Sequence, residues 1–324
     1  MRAVRCEAHG APETLVLRDL PDLTARPGQV VVDIHAAALN FPDVLTVADR
    51  YQVSTPVPFT PGSEFAGVVR EVGDGVTDWS PGDRVMGTRA VGAFAEQIAA
   101  APADLRVVPE GLDLVHAAVF QVTYSTAYHS LVTAGGLRVG EWVVVLGASG
   151  GVGSATVDIA HRLGARVLAA ASDPRRLELA VRLGADASID YATEDLKGRI
   201  KEITDGGSDL VVDPVGGAYA EQALRAIRWG GRFVSVGFAA GDVPRIPLNL
   251  VLLKNVTVRG MELRSWSQQM PEAFAAADAE LARLVAEGMR PEVSRTRPLT
   301  ETAKALADVA RRKALGKTVI DVRG

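Results

Sequence analysis

Residues 142–153 read WVVVLGASGGVG, and residues 154–165 continue SATVDIAHRLGA. An apolar run of strand formers empties into a glycine-rich turn, and helix-forming sequence follows. That order is the entry to a βαβ unit that binds a dinucleotide. Gly150 and Gly151 let the backbone turn tightly and approach a pyrophosphate, while Gly153 lets the helix pack close to the strand. The helix N-terminus offers unpaired N–H groups to the phosphates, which makes Ser149, Gly150, Gly151, Val152 and Gly153 the first candidate binding residues. A second apolar strand, RVLAAA at 166–171, arrives where a ribose-reading residue belongs. The alternative is a glycine turn in an α/β protein with no ligand.

The tip of that second strand bears on which nicotinamide nucleotide would bind. An acidic residue there would accept hydrogen bonds from the ribose 2′-OH and repel a 2′-phosphate, but the chain has Ala171 and Ser172, then Asp173, Pro174, Arg175 and Arg176. Two guanidinium groups beside a small hydroxyl suit a phosphate, so Ser172, Arg175 and Arg176 favour NADPH over NADH. In the competing reading, Asp173 and Pro174 cap the next helix and the arginines are solvated residues of its first turn.

Working outward, a chain of 324 residues with 48% hydrophobic content has length for about two domains and ample apolar content for their cores. A net charge of −4 offers no basic surface for nucleic acid. No run approaches the ~18 apolar residues of a membrane span, and the first residues lack a signal peptide's apolar stretch, so the expectation is a soluble, cytoplasmic protein. With Cys6 as the single cysteine, no internal disulfide and no cysteine-rich metal site can form.

The texture changes once. Up to about residue 114, short strand-like stretches at 30–34, 66–72 and 84–86 follow Pro-Gly turns, as in a compact β-rich domain. From about 116 the pattern alternates helix with buried strand. Strands are predicted at 142–146, 166–171, 188–189, 210–213, 232–236 and 256–259, enough for a doubly wound parallel sheet. A helix at 269–288, a strand at 292–295, a helix at 302–313 and a final strand at 318–322 complete the chain, and a lone terminal strand needs a sheet to join. Strand 256–259 would be a sheet edge. Edges are commonly protected by pairing across a symmetric homodimer, the assembly predicted here.

Four stretches together carry a family resemblance: NFPDVLTVADRY (40–51), PFTPGSEFAGVV (58–69), PGDRV (81–85) and LGASGGVGSA (146–155). In that order they resemble the zinc-independent quinone oxidoreductases of the medium-chain dehydrogenase/reductase superfamily, the group that includes zeta-crystallin. The resemblance implies an α/β protein in which a GroES-like catalytic domain, residues 1–118 and 262–324, flanks a Rossmann NADP-binding domain, residues 119–261. Ala148 stands where the first glycine of the fingerprint often lies, a variation common in this branch.

Zinc enzymes of the same superfamily place catalytic ligands at positions that fall here on Asn40, Ser63-Glu64 and near Val122. Of these only Glu64 can serve, whereas catalytic zinc takes three protein ligands. No metal is expected, Glu64 reads as a structural carboxylate, and the five histidines show no ligand spacing. Without a Lewis acid the acceptor must itself accept hydride well, as quinones and α,β-unsaturated carbonyls do. By resemblance Asn40, Tyr51 and Thr126 stand at the nicotinamide end. Asn40 and Tyr51 are the candidates to hydrogen-bond the developing oxyanion and Tyr51 to donate a proton; the alternative for both is to position the nicotinamide ribose or line the pocket. In relatives, Tyr191 lies beside the adenosine phosphate, the 213–216 turn faces the adenosine, and the segment with Val236 and Phe238 faces the nicotinamide amide. The alternatives are turn chemistry for the glycines and core packing for Tyr191 and Phe238. Two other function classes stay open: an enoyl-thioester reductase of the acyl-CoA type, and a non-enzymatic nucleic-acid-binding or structural role.

Overall fold

The computed structural model describes residues 1–324, which divide into two compact units, Met1–Val122 with Ala282–Gly324, and Thr123–Leu281. The first unit opens with β1 (Arg2–Arg5), β2 (Val16–Asp19), β3 (Val30–Ala38), helix α1 (Phe41–Val47), β4 (Glu64–Val72), β5 (Arg84–Thr88), β6 (Gln97–Ala100), β7 (Leu105–Val107) and the short α2 (Leu114–Ala117). Pro-Gly turns punctuate its strands, as at Pro61-Gly62 before β4 and Pro81-Gly82 before β5. Ile34 of β3, Phe65 of β4, Leu105 of β7 and Phe94 of the loop before β6 pack into one core.

The second unit carries α3 (Ser125–Tyr128), β8 (Trp142–Leu146), α4 (Gly151–Arg162), β9 (Arg166–Ala171), α5 (Pro174–Arg182), β10 (Ala187–Asp190), α6 (Leu196–Ile203) and β11 (Ser208–Asp213). It continues with α7 (Gly217–Arg225), β12 (Ile227–Ser235), α8 (Leu248–Lys254), β13 (Thr257–Gly260), α9 (Leu263–Gln269) and α10 (Pro271–Ala286). Its six strands are all parallel in the order β10-β9-β8-β11-β12-β13, the doubly wound arrangement. All five residues of β8 are buried, as a central parallel strand covered on both faces requires.

The chain then returns to the first unit with β14 (Arg295–Pro298), α11 (Thr302–Ala310) and β15 (Thr318–Asp321). There β15 lies between β14 and β3 in a sheet ordered β14-β15-β3-β4-β5-β7, with β6 also paired to β3, so the terminal strand has its sheet.

The structure refines the sequence expectations toward the C-terminus. The units part after Val122 and after Leu281, and within the second Phe274 of α10 stacks on His129 at 3.9 Å while Arg259 donates to the Thr133 and Ala134 carbonyls. The helix expected over 269–288 is α10, at Pro271–Ala286, and a further helix that was not expected, α9, ends just before it at Gln269, since Pro271 lacks an N–H and starts a new helix rather than continuing the first. The strand expected at 292–295 is β14, at Arg295–Pro298. The last helix stops at Ala310, and Arg312 turns the chain with a φ of +57°.

Candidate functional site

In the second unit, Gly147 leaves β8 with a φ of +59°, and the Gly150 N–H closes the turn on the Gly147 carbonyl at 2.9 Å. Helix α4 then starts behind Gly150 with no side chain capping it, so its first-turn N–H groups stand ready for an anion. Only glycine fits at 153: a Cβ there would sit 2.1 Å from the Gly147 carbonyl oxygen. Ser149 is buried in the turn, and Gly150, Gly151 and Val152 are half-buried around it.

At the tip of β9, the Asp-Pro pair starts α5 as the capping reading expects. Asp173 caps α5 by accepting the Arg176 N–H at 3.2 Å, and its other oxygen takes Arg176 Nε at 3.0 Å. This pairing leaves the guanidinium reaching back to the glycine turn, where Arg176 Nη1 donates to Ser149 Oγ at 3.4 Å. Ser172 and Arg175 are exposed beside it. Tyr191 follows β10, half-buried, with its ring 4.1 Å from that of Tyr219. Asp213 ends β11 and folds its turn by accepting the N–H groups of Val215 and Gly216, both at 2.8 Å. Val236 follows β12, and Phe238 beyond it is 42% exposed, which removes core packing as its role. Thr126 is buried in α3, its carbonyl taken by Ser130 Oγ at 2.7 Å. Except for Thr126, these residues follow the C-terminal ends of parallel strands, the edge at which such sheets bind ligands.

The first unit holds a buried polar cluster of which the sequence reading named only Asn40 and Glu64. The Leu39 N–H donates to the Thr318 carbonyl at 3.0 Å, which brings the start of β15 against the end of β3 and sets Lys317 beside Asn40. Lys317 Nζ donates to the Leu39 carbonyl at 2.9 Å and to Asn40 Oδ1 at 2.5 Å, and lies 3.5 Å from Glu64 Oε2. Asn40 Nδ2 donates to Glu64 Oε2 at 3.1 Å, and the Val122 N–H donates to Glu64 Oε1 at 2.7 Å. Asp43 accepts the Asn40 backbone N–H at 2.7 Å. Desolvation raises Glu64 and lowers Lys317, each opposed by the other's charge.

Asp43 makes a second buried carboxylate for a single ammonium, and burial pushes it from 3.8 up to about 6. Its folded value exceeds its unfolded one, so the native state binds the proton more tightly. The carboxyl is best tolerated below about pH 4, and that contribution is lost as pH rises through 6, by about 3 kcal/mol in all. Replacing Asp43 by asparagine keeps an acceptor for the Asn40 N–H and removes the charge. Between pH 4 and 7 the unfolding free energy of D43N should therefore rise relative to wild type by up to about that amount. A difference independent of pH, measured by urea titration across the range, would refute the assignment.

Tyr51 follows α1, beyond Asp49 with its φ of +52°, and is half-buried. Asn40 stands at the N-terminal end of that seven-residue helix. The structure thus brings Asn40 together with Glu64 and Lys317, and Ser149 with Arg176. Lys317 and Asp43 escaped the sequence reading. A lysine before an apolar strand reads as a solvated strand end, and an aspartate three residues after an asparagine reads as a helix-start device.

No group of three or more His, Cys, Asp or Glu side chains converges as a ligand set, and both Glu64 oxygens already accept hydrogen bonds.

Residues 26–110 match the alcohol dehydrogenase GroES-like domain family, and residues 151–279 match the zinc-binding dehydrogenase family. A quinone oxidoreductase-like protein 2 homolog of Nematostella vectensis is 35% identical over 99% of this chain and 89% of its own length. The chain belongs to the quinone oxidoreductase family of the medium-chain dehydrogenase/reductase superfamily. Among solved quinone oxidoreductases, that of Escherichia coli, complexed with NADPH, superposes with a TM-score of 0.91 at 26% identity, covering 99% of this chain and all of that one. The CurK enoyl reductase superposes with a TM-score of 0.88, also at 26% identity, over 99% of this chain and 98% of that one. The family's GroES-like and Rossmann parts correspond to the first and second units.

Proposed function

We propose that the protein is an NADPH-dependent reductase of quinones or α,β-unsaturated carbonyls that works without a metal. The single observation carrying this reading is the preformed anion cradle at the glycine turn, with the Arg176 guanidinium fixed against Ser149 at its rim. Ser149, Gly150, Gly151, Val152 and Gly153 would hold the pyrophosphate, and Ser172, Arg175 and Arg176 the 2′-phosphate. Tyr191, Val236, Phe238, Thr126 and Asn40 would complete the nucleotide's surroundings. When bound, NADPH supplies the hydride. The chain's own part is to bind and orient, to exclude water, and to offer hydrogen-bond donors to the oxygen on which charge develops, the role given to Asn40 and Tyr51.

The absence of a zinc ligand set narrows the acceptors. An isolated carbonyl is poorly polarised without a Lewis acid, whereas a conjugated one spreads the arriving charge itself. The fold shared with an enoyl reductase supports a second reading, reduction of an enoyl thioester. Of the arginines that would meet a CoA phosphate, Arg89 is already paired with Asp104 at 3.1 Å, while Arg50 and Arg264 are exposed. Steady-state NADPH oxidation against a quinone, an enone and a crotonyl thioester tests both. The leading reading expects the first two to exceed the thioester in kcat/KM, and a clear preference for the thioester would replace it by the second.

We also infer a homodimer through the edge strand β13. All four of its residues are exposed, and in the neighbouring α8 Leu248, Leu252 and Leu253 are 78%, 80% and 70% exposed. Sedimentation at micromolar concentration should give twice the chain mass, and the double substitution Leu252→Glu with Leu253→Glu should halve it. A monomeric wild type would refute the interface.

A further inference from the structure

The Lys317 ammonium is an unusual group to bury. Its side chain is 5% exposed and that of Glu64 1%, and ion pairs at such depth seldom stabilise a fold more than well-packed apolar side chains would. What the ammonium does fix is the direction of a neighbouring amide. A lysine can only donate and an ionised glutamate can only accept, so Asn40, lying between them, must turn Oδ1 to Lys317 and Nδ2 to Glu64. The amide cannot flip without facing donor against donor and oxygen against oxygen. One Nδ2–H is spent on Glu64, and the carbonyl oxygen is spent on the ammonium. The other Nδ2–H is the amide's unspent donor.

We propose that Lys317 is a positioning residue that, with Glu64, locks Asn40 as a hydrogen-bond donor toward an oxygen of the bound reactants. This rests on the reading of Asn40 as a residue of the reductase site. It also accounts for a buried cation beside positions where zinc enzymes carry ligands: the charge acts through the asparagine, not on the substrate. Lys317 therefore touches no reacting atom, and Asn40 is the contact.

The test is a reversal of polarity that conserves charge. In Asn40→Asp combined with Glu64→Gln, the new carboxylate accepts from Lys317 and from the glutamine amide, the glutamine oxygen still accepts the Val122 N–H, and the cluster keeps one negative charge at these two positions. The Nδ2–H given to Glu64 is replaced by the glutamine's, and the unspent one is lost. The double variant should melt close to wild type yet lose about 10²- to 10³-fold of kcat in NADPH-dependent quinone reduction, the usual loss for one donor to a developing oxyanion. An NADPH dissociation constant within a few-fold of wild type, measured by fluorescence titration, places the donor on the reacting oxygen. A comparable loss of NADPH affinity at constant kcat places it on the cofactor ribose. Wild-type kcat and affinity together would overturn the proposal.

Lys317→Gln combined with Glu64→Gln provides the second arm, since both neighbours of Asn40 then accept and donate, and the amide is free to flip. About a tenfold loss at the same readout is expected, and wild-type behaviour would overturn the part given to Lys317. Asn40→Ala separates this idea from the reading beneath it. If Asn40→Ala leaves both constants unchanged, the placing of Asn40 in the site is wrong. If it lowers them while the polarity reversal does not, the placing stands and the donor assignment falls.

Discussion

Tyr51→Phe is expected to lower kcat for a simple enone by about 10²- to 10⁴-fold while NADPH affinity stays nearly unchanged. The expectation rests on Asn40 donating a hydrogen bond but not a proton, and on Asp43 and Lys317 being buried and engaged with Asn40 itself. Reduction of an enone leaves an enolate that must be protonated, whereas reduction of a quinone leaves a delocalised, weakly basic anion that water can protonate. The quinone reaction should therefore suffer much less. Near-normal kcat with both substrates would remove Tyr51 from catalysis and leave orientation of the reactants as the main contribution of the protein.

Replacing Arg175 and Arg176 together by alanine should weaken NADPH by about 10²- to 10³-fold and NADH by no more than a few-fold. A charge-assisted hydrogen bond is worth about 1.5 to 3 kcal/mol, and the two arginines are unequal partners. Arg176 is held by Asp173 at 3.0 Å and so has little side-chain freedom left to lose on binding, while Arg175 is exposed and contributes at the lower end of that range. Asp173 has both oxygens engaged with Arg176, one by the backbone N–H and one by Nε. Equal weakening of the two cofactors in equilibrium titrations would show that the arginines are only solvated first-turn residues.

These two residues also show what the sequence makes legible. Local signals survive folding well: the apolar runs at 142–146 and 166–171 coincide with β8 and β9, and the glycine turn between them lies where a strand, a tight turn and a helix must succeed one another. The need of a terminal strand for a sheet was equally readable, and β15 satisfies it beside β3. Signals that depend on distant partners do not survive in the one-dimensional pattern. Lys317 meets Asn40 across 277 positions, and nothing in the tripeptide Gly-Lys-Thr announces a buried ammonium. The second unit boundary falls inside α10, a continuous helix, so no linker composition marks it. His129 gave no sign that its ring would stack on Phe274.

The central claim is direct hydride delivery to a conjugated carbonyl with no metal to polarise it. Its most direct measurement is the fate of deuterium from [4,4-²H₂]NADPH when the protein, dialysed against a strong chelator, reduces an enone. The account predicts an undiminished rate and a saturated ketone carrying one deuterium on the β carbon. An allylic alcohol with deuterium on the carbonyl carbon, or a rate abolished by the chelator and restored by zinc, would contradict it.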